Sequence, residues 1–318
     1  IVPLVLSRKI YKNRLMFCSD GLDPFDVSNI GHIDHCVRES IKLGMNPIDA
    51  ISMASRNCFD YYKLGNDFGG IGPGKIADIL ILDDLEKIKI NKVMLGGKIV
   101  VSNGKLVQKI QTPKVPTWMQ KTVKIPKLQP KHFNVNSKNN VETVNTILMR
   151  TEIVTKKSSA ELDVTNSNVS ASYDKDIWKV AALDRTFGSK TKTVGFLENF
   201  GADIGAFAST WSFHENDMIV IGSNEDDMAD ACNKLAKSQG GLIIVKGGKT
   251  LASLPFQLGG IISTDPIDKV TKNFTKINDV LSDSGCKFKK PHLMPLFLPL
   301  LALPDIRILY SGIVDGNP

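Results

Sequence analysis

Apolar residues along this chain fall into short runs and helical stripes, punctuated by glycine, asparagine and proline. Residues 15–20 read as a short buried strand, because the apolar run Leu15 to Cys18 leads directly into Ser19-Asp-Gly-Leu-Asp-Pro24. Ile30, Ile33, Val37 and Ile41 recur at helical spacing, which predicts one helix from about Asp26 to Leu43, stopped by Gly44. Asn46 is placed to cap a second helix, with Pro47 at its first position and Asp49 in its first turn. Ile48, Ile51, Ala54 and Cys58 give that helix an apolar stripe, and Gly65 ends it. Short strands follow at Ile79–Leu82, Lys92–Leu95, Lys98–Val101 and Lys105–Val107, with Gly96-Gly97 and Asn103-Gly104 as turns between them. They make a small β-unit rather than a stand-alone domain.

The second half has a different texture. Residues 151–175 are rich in Ser, Thr and Asn, with a strand expected only at Glu152–Thr155. From 176 onward the pattern is α/β. Met218–Gly222 is a strand, and Asn224-Glu-Asp-Asp227 opens a helix running to about Lys237, its acids favoured by the helix dipole. Leu242–Val245 and Thr250–Leu254 form a hairpin around Gly247-Gly248, and Thr264-Asp265-Pro266 caps a helix to about Ser284. No internal repeat is present.

Composition narrows the class. A chain of 318 residues with 42% hydrophobic content can bury sizeable cores in about two domains. The longest apolar run, Leu293 to Leu303, is broken by Pro295 and Pro299 and is too short for a membrane span. The apolar start lacks a basic leader, so no signal peptide is expected, and a beginning at Ile1 suggests a fragment. The five cysteines, Cys18, Cys36, Cys58, Cys232 and Cys286, are scattered and odd in number, which suits reduced thiols in a cytoplasmic protein. Net charge is +7, and six lysines without an acid between Gln111 and Lys138 account for most of it. That stretch has four prolines, no arginine and only Trp118 and Phe133 as stacking platforms, so it reads as an extended, exposed connector rather than a nucleic-acid site.

Four stretches carry a family resemblance: Phe17-Cys-Ser-Asp20; Gly31-His-Ile-Asp-His-Cys-Val-Arg38; Gly70 to Asp83; and a C-terminal block of Ala206–Thr210, Ile219–Gly222, Asn224–Met228 and Gly240-Gly241. Together they resemble adenine deaminase of the amidohydrolase superfamily. The third is general to amidohydrolases; the C-terminal block is the specific one. The resemblance implies an α/β protein in four parts. Residues 1–65 would be the end of a TIM-type barrel, its last strand and helices. Residues 66–110 would be part of a small composite β-domain. Residues 111–175 would be a basic, Pro/Ser/Asn-rich connector, and 176–318 a C-terminal α/β domain. It also implies hydrolysis of adenine to hypoxanthine and ammonia with a divalent metal, manganese or iron, and a small-molecule purine as partner. Nucleic acid and membrane are not expected as partners, and a homo-oligomer is left open.

Within that resemblance Asp20 is the expected metal ligand and catalytic carboxylate, standing at the family's strand-eight aspartate. A carboxylate there can ligate, orient water and carry a proton. The alternative is a loop-capping Asp in a Ser-Asp-Gly turn. His214 and Glu215 are the candidates for general acid or base recognition, against an ordinary surface loop. His32 and His35, three apart, are expected at a helix edge rather than on a metal. Lys75 and Asp78 are expected in a structural turn. Gly69, Gly70, Gly72 and Gly74 precede no helix and are not read as a phosphate cradle. Two departures bear on the substrate. The family's Asp-Arg-His-Pro is here Asp20-Gly-Leu-Asp-Pro24, and its His-Asp-Ser-His-Asn is Phe213-His-Glu-Asn-Asp217. The His-x-His pair of the superfamily's first strand has no counterpart among the five histidines, so the chain alone is expected to be inert. The alternatives are another amidohydrolase acting on a cyclic amide or different purine, and a non-catalytic binding module.

Overall fold

The computed structural model describes residues 1–8, 10–109, 114–213 and 216–316. The chain divides into two units, Ile1–Lys114 and Val115–Pro318.

The first unit begins with helix α1, Val2–Ser7, then α2, Pro24–Asn29; α3, Ile33–Lys42; α4, Pro47–Ala54; and α5, Arg56–Tyr61. A four-stranded antiparallel sheet follows, ordered β1 (Ile79–Asp84), β2 (Lys89–Leu95), β3 (Lys98–Ser102) and β4 (Lys105–Leu106). The Gly96-Gly97 turn sits where expected, with φ of 54° and 78°, the double positive φ that a tight hairpin demands. Val5, Val37, Met45, Ala50, Met53 and Ile88 form the core of this unit.

Three expectations for this unit are corrected. Residues 15–20 form no strand, and Met16, Cys18 and Asp20 are exposed. A strand is defined by a partner's ladder, and the segment instead lies on helices, with the Phe17 N–H donating to the Met53 carbonyl at 3.0 Å. The single helix over 26–43 is two, broken at Gly31, whose φ of 122° no side-chain-bearing residue adopts readily. Asp34 then accepts the His32 N–H at 2.7 Å and opens α3 afresh. The second helix is likewise split at Ser55, and its buried residues are Ala50 and Met53, while Ile48 is 60% exposed. The Asn46 cap is as expected, accepting from the Ile48 N–H at 2.9 Å.

The second unit is built on one nine-stranded sheet. Its strands are β5 (Val141–Met149), β6 (Thr155–Thr165), β7 (Asn168–Val169), β8 (Ile177–Leu183), β9 (Lys192–Glu198), β10 (Ala206–Ser209), β11 (Met218–Gly222), β12 (Gly241–Lys246) and β13 (Lys249–Pro255). Their order is β13-β12-β10-β11-β8-β9-β5-β6-β7. Every pairing is antiparallel except β5 with β9. Helices α6 (Glu225–Ser238), α7 (Ile267–Asp283) and α8 (Leu293–Phe297) accompany it, and β14 (Ile306–Leu309) pairs with β15 (Gly312–Asp315).

Alternate residues of the central strands serve two cores. Trp178, Val180 and Ala182 pack with Phe274 and Ile277 of α7 and Met294 of α8. Ala181 and Leu183 pack with Met228, Cys232 and Leu235 of α6 and with Val123, Leu128 and Phe133. Covered on both faces, these strands read as continuous apolar runs. One charge interrupts them. Lys179, 1% exposed, reaches the Phe133 carbonyl at 3.2 Å, Asn168 Oδ1 at 2.9 Å and the Glu225 carboxylate.

The exposed stretch expected over 111–138, and the connecting segment expected over 111–175, are therefore corrected within the described residues. Val123, Leu128 and Phe133 are buried against α6, and β5 to β7 complete the large sheet. Gln111 lies outside the described residues. The expected hairpin around Gly247-Gly248 and the helix after Asn224 stand where the sequence puts them. The strand expected at Glu152–Thr155 instead begins at Thr155, and α7 takes no side-chain cap; Asp265 pairs with Lys269 at 3.0 Å. Among the described residues no helix is long and apolar enough to cross a membrane.

Candidate functional site

Asp20 stands at the end of a segment that is pinned from beneath. The Asn57 side chain donates to the Lys12 and Leu15 carbonyls, each at 2.8 Å, and Leu15 and Phe17 pack on the core around Val37 and Met53. The chain then turns sharply. Asp20 takes φ of 52°, its Oδ1 accepts the Gly21 N–H at 2.7 Å, and Asp23 caps α2 by accepting from Asp26 at 2.8 Å. The carboxylate is exposed, with acceptor capacity beyond the Gly21 N–H. It can thus hold a cation or a proton, and it also satisfies the ordinary geometry of a Ser-Asp-Gly turn.

The residue before it has a partner the sequence did not announce. Ser19 Oγ lies 3.1 Å from His32 Nε2. His32 caps α3, its backbone held by Asp34, which also pairs with Arg38 at 2.6 Å. Burial works against the Asp34 charge, but the His32 N–H and the Arg38 guanidinium outweigh it and hold its carboxyl below the usual range. His32 thus stands at the start of α3, as a helix-edge residue, and is hydrogen-bonded beside the Asp20 turn.

In the second unit, the described residues 210–213 and 216–217 are held at several points. Ser212 Oγ donates to the Asp217 carbonyl at 2.7 Å, the Phe213 N–H to the Leu296 carbonyl at 3.0 Å, and the Tyr310 N–H to Asp217 Oδ2 at 2.8 Å. Trp211 stacks on the buried His292 ring, 6.4 Å between centroids, and His292 Nδ1 meets Asn278 Oδ1 at 2.8 Å. Arg185, 3% exposed, donates to the Gly259 carbonyl at 3.1 Å. Burial pushes its guanidinium down to about 10 against the attraction of Asp217. Arg185, Asp217 and His292 were not singled out from the sequence, because their partners lie up to about a hundred residues away. His214 and Glu215, the candidates on this loop, lie outside the described residues.

The other expectations are settled locally. Asp78 accepts the Gly96 N–H at 2.8 Å, and Lys75 Nζ donates to the Gly65 carbonyl; both are structural. A strand, not a helix, follows the 69–74 glycines. Among the described residues no group of three or more His, Cys, Asp and Glu side chains could hold a metal ion. All five cysteines are free thiols.

Comparison with known proteins accords with these elements. Residues 152–318 match the family described as adenine deaminase C-terminal domain, and residues 6–100 match the amidohydrolase family. The chain is 53% identical over 315 residues to a protein named adenine deaminase from Cenarchaeum symbiosum, covering 99% of this chain and 52% of that protein. It is 33% identical to one of the same name from Desulforamulus reducens (99% and 54% covered) and 32% identical to one from Moorella thermoacetica (99% and 53%). The chain spans about half the length of the curated relatives it matches.

Proposed function

The chain belongs to the adenine deaminase C-terminal domain family, and from that premise we propose that it serves hydrolytic deamination of adenine to hypoxanthine and ammonia. The observation that supports this most is the 53% identity, sustained over 99% of the chain, to a protein named adenine deaminase. The names of the relatives favour adenine over a cyclic amide and favour an enzyme over a bare binding module.

In the reaction a water oxygen bonds to C6 of the base, the C6–N bond breaks, and a proton passes from the water to the departing amine. Asp20 is proposed to carry that proton, being a carboxylate held exposed on a pinned segment. The Ser19–His32 contact limits how the turn bearing Asp20 can move. His214 or Glu215 is proposed to recognise the base or protonate the amine; the support is that the flanking residues Ser212, Phe213 and Asp217 are hydrogen-bonded to the domain. A divalent ion, when bound, acidifies its water; the family suggests one, and manganese or iron is our choice. The described residues do not by themselves fit such an ion, since no group of three or more His, Cys, Asp and Glu side chains among them could hold it. No step is routed through it here. A cytoplasmic location is proposed from the five free thiols.

The test is ammonia release from adenine with added manganese or iron, by this chain and by the whole protein that contains it. We expect the chain alone to be inert and the whole protein active, with Asp20→Asn lowering turnover by about 10²–10⁴-fold. Full turnover by the whole-protein Asp20→Asn variant would remove the role given to Asp20. Inactivity of the unaltered whole protein on adenine would shift suspicion to the sequence changes at 21–24 and 213–217.

A further inference from the structure

We propose that a cleft on the second unit binds a small phosphate-bearing ligand. The cleft, about 240 Å³, lies between residues 125–132 and the connection from β8 to β9. It shares no residue with Asp20 or the loop 210–217, and the proposal stands apart from the deaminase reading.

Charge is the first reason. Lys127, Lys190 and Lys192 line the cleft with His132, and the one acid there is Asp184. That carboxylate is already engaged. It accepts the N–H groups of Thr186, Phe187 and Ser189, each at 2.9 Å, and so closes its own loop. Among the described residues none of the three lysines forms an ion pair. Three lysines against one carboxylate leave an excess of positive charge, which costs stability, and a bound anion relieves that cost.

Neutral donors are the second reason. His132 Nδ1 accepts the Gln129 N–H at 3.1 Å, which places the imidazole proton on Nε2 as a donor. Thr191 Oγ1 accepts from Ser189 Oγ at 3.0 Å and keeps its own hydroxyl proton to give. Lysines with one imidazole N–H and one hydroxyl suit phosphoryl oxygens, which accept and never donate.

The third reason is that both walls are fixed in advance. The Asn233 amide holds the Leu128 backbone from both sides, at 2.9 and 3.0 Å. The Lys124 N–H donates to the Arg185 carbonyl at 2.7 Å, and Leu183 pairs with Lys192. Little order remains to be imposed on binding. The volume is below that of a typical whole-ligand pocket, so the cleft reads one or two phosphoryl groups rather than an entire large molecule.

The experiment is calorimetric titration of the intact chain, with thermal unfolding in parallel. Probes are pyrophosphate, ADP, adenosine, a ten-nucleotide single-stranded RNA, and sodium chloride at matched ionic strength. Pyrophosphate is expected to bind and to raise the melting temperature, while adenosine and chloride do not. ADP binding more tightly than pyrophosphate points to a nucleotide source and equal binding to an inorganic one; either supports the proposal. Lys127→Gln/Lys190→Gln/Lys192→Gln is expected to weaken binding by about tenfold or more, as loss of charge-assisted contacts requires. Lys190→Gln alone, a milder change at an exposed residue, is expected to give a smaller loss, and Lys156→Gln/Lys157→Gln on β6 none. Equal affinity in the triple variant, an equal effect of chloride, or RNA binding that far exceeds pyrophosphate and is lost with the same lysines would overturn it.

Discussion

Asp227 shows how one side chain ties two distant pieces of the second unit. It lies in the first turn of α6, yet its two oxygens accept the Gly247 and Gly248 N–H groups at 2.9 and 2.8 Å, closing the β12–β13 hairpin. Burial works to raise its carboxyl, but the Gly248 and Gly247 N–H groups, with Asn224 and the Lys234 charge, outweigh it and hold it below the usual range. A carboxyl depressed in the folded state adds stability that is present above its unfolded pKa, about 3.9, and is lost as pH falls through the folded value. Asp227→Asn is therefore expected to cost about 1–3 kcal/mol at neutral pH, the range for unpairing a buried hydrogen-bonded group. The loss should begin to shrink as pH drops below about 4, where the unfolded chain takes up the proton, and should disappear only below the depressed folded value, where the native carboxyl is itself protonated. Urea midpoints of both proteins between pH 7 and pH 3 check this; a pH-independent gap would remove the carboxylate from the argument. Sequence placed Asp227 correctly at a helix start, because capping chemistry is local. Its service to the hairpin, twenty residues on, was not written in any nearby residue.

At the scale of elements, the same division separates what could be read from what could not. Hairpins around Gly-Gly pairs and the helix after Asn224 were legible because their determinants lie within four residues. Residues 15–20 were misread because a strand needs a neighbour and no local pattern supplies one. The candidate site divided similarly: the turn at Asp20 was legible, and its neighbour's bond to His32, across a broken helix, was not. The basic segment was misread because its partners are remote. Gln239 bonds Val123 at both N–H and carbonyl, 3.1 and 3.3 Å, and Asn233 does the same for Leu128, from 116 and 105 residues away. Two side-chain amides, one on α6 and one at its C-cap, stand in for a neighbouring strand. Asn233→Ala would leave the buried Leu128 N–H and carbonyl without partners, at about 1–3 kcal/mol each. We expect faster hydrogen exchange across 121–133 in that variant, with the β10–β12 core protected as before. Unchanged exchange at Leu128 would mean the clamp does not hold the segment.

For the whole molecule, the decisive feature is that the large sheet does not begin where the α/β texture of the sequence begins. A fragment of 176–318 would keep β8 to β15 but lose β5, β6 and β7. Strand β9 would then lose its parallel neighbour, since Thr146 pairs with Phe196 and Leu148 with Glu198. Ile147 and Met149 would leave the core they share with Trp178 and Leu197, and Leu162 the cluster around Ile177 and Phe196. Polar losses compound the apolar ones. Arg307, 1% exposed, donates to the Ile153 carbonyl at 3.1 Å, and Thr155 Oγ1 donates to the Ile306 carbonyl at 2.7 Å. Lys179 would lose both the Phe133 carbonyl and Asn168, keeping only Glu225 among those partners. A buried cation with its partners removed costs several kcal/mol, a large part of the stability of an ordinary domain. The fragment 115–318 retains all of these contacts and one face of α6 that would otherwise be bare. It is expected to unfold in a single cooperative step by urea and by heat. The fragment 176–318 is expected to show a broad transition and to bind a hydrophobic dye, because an open sheet edge and an uncovered face are what its truncation exposes. A sharp transition of 176–318 at the midpoint of 115–318 would show that β5, β6 and the basic segment decorate the domain rather than complete it.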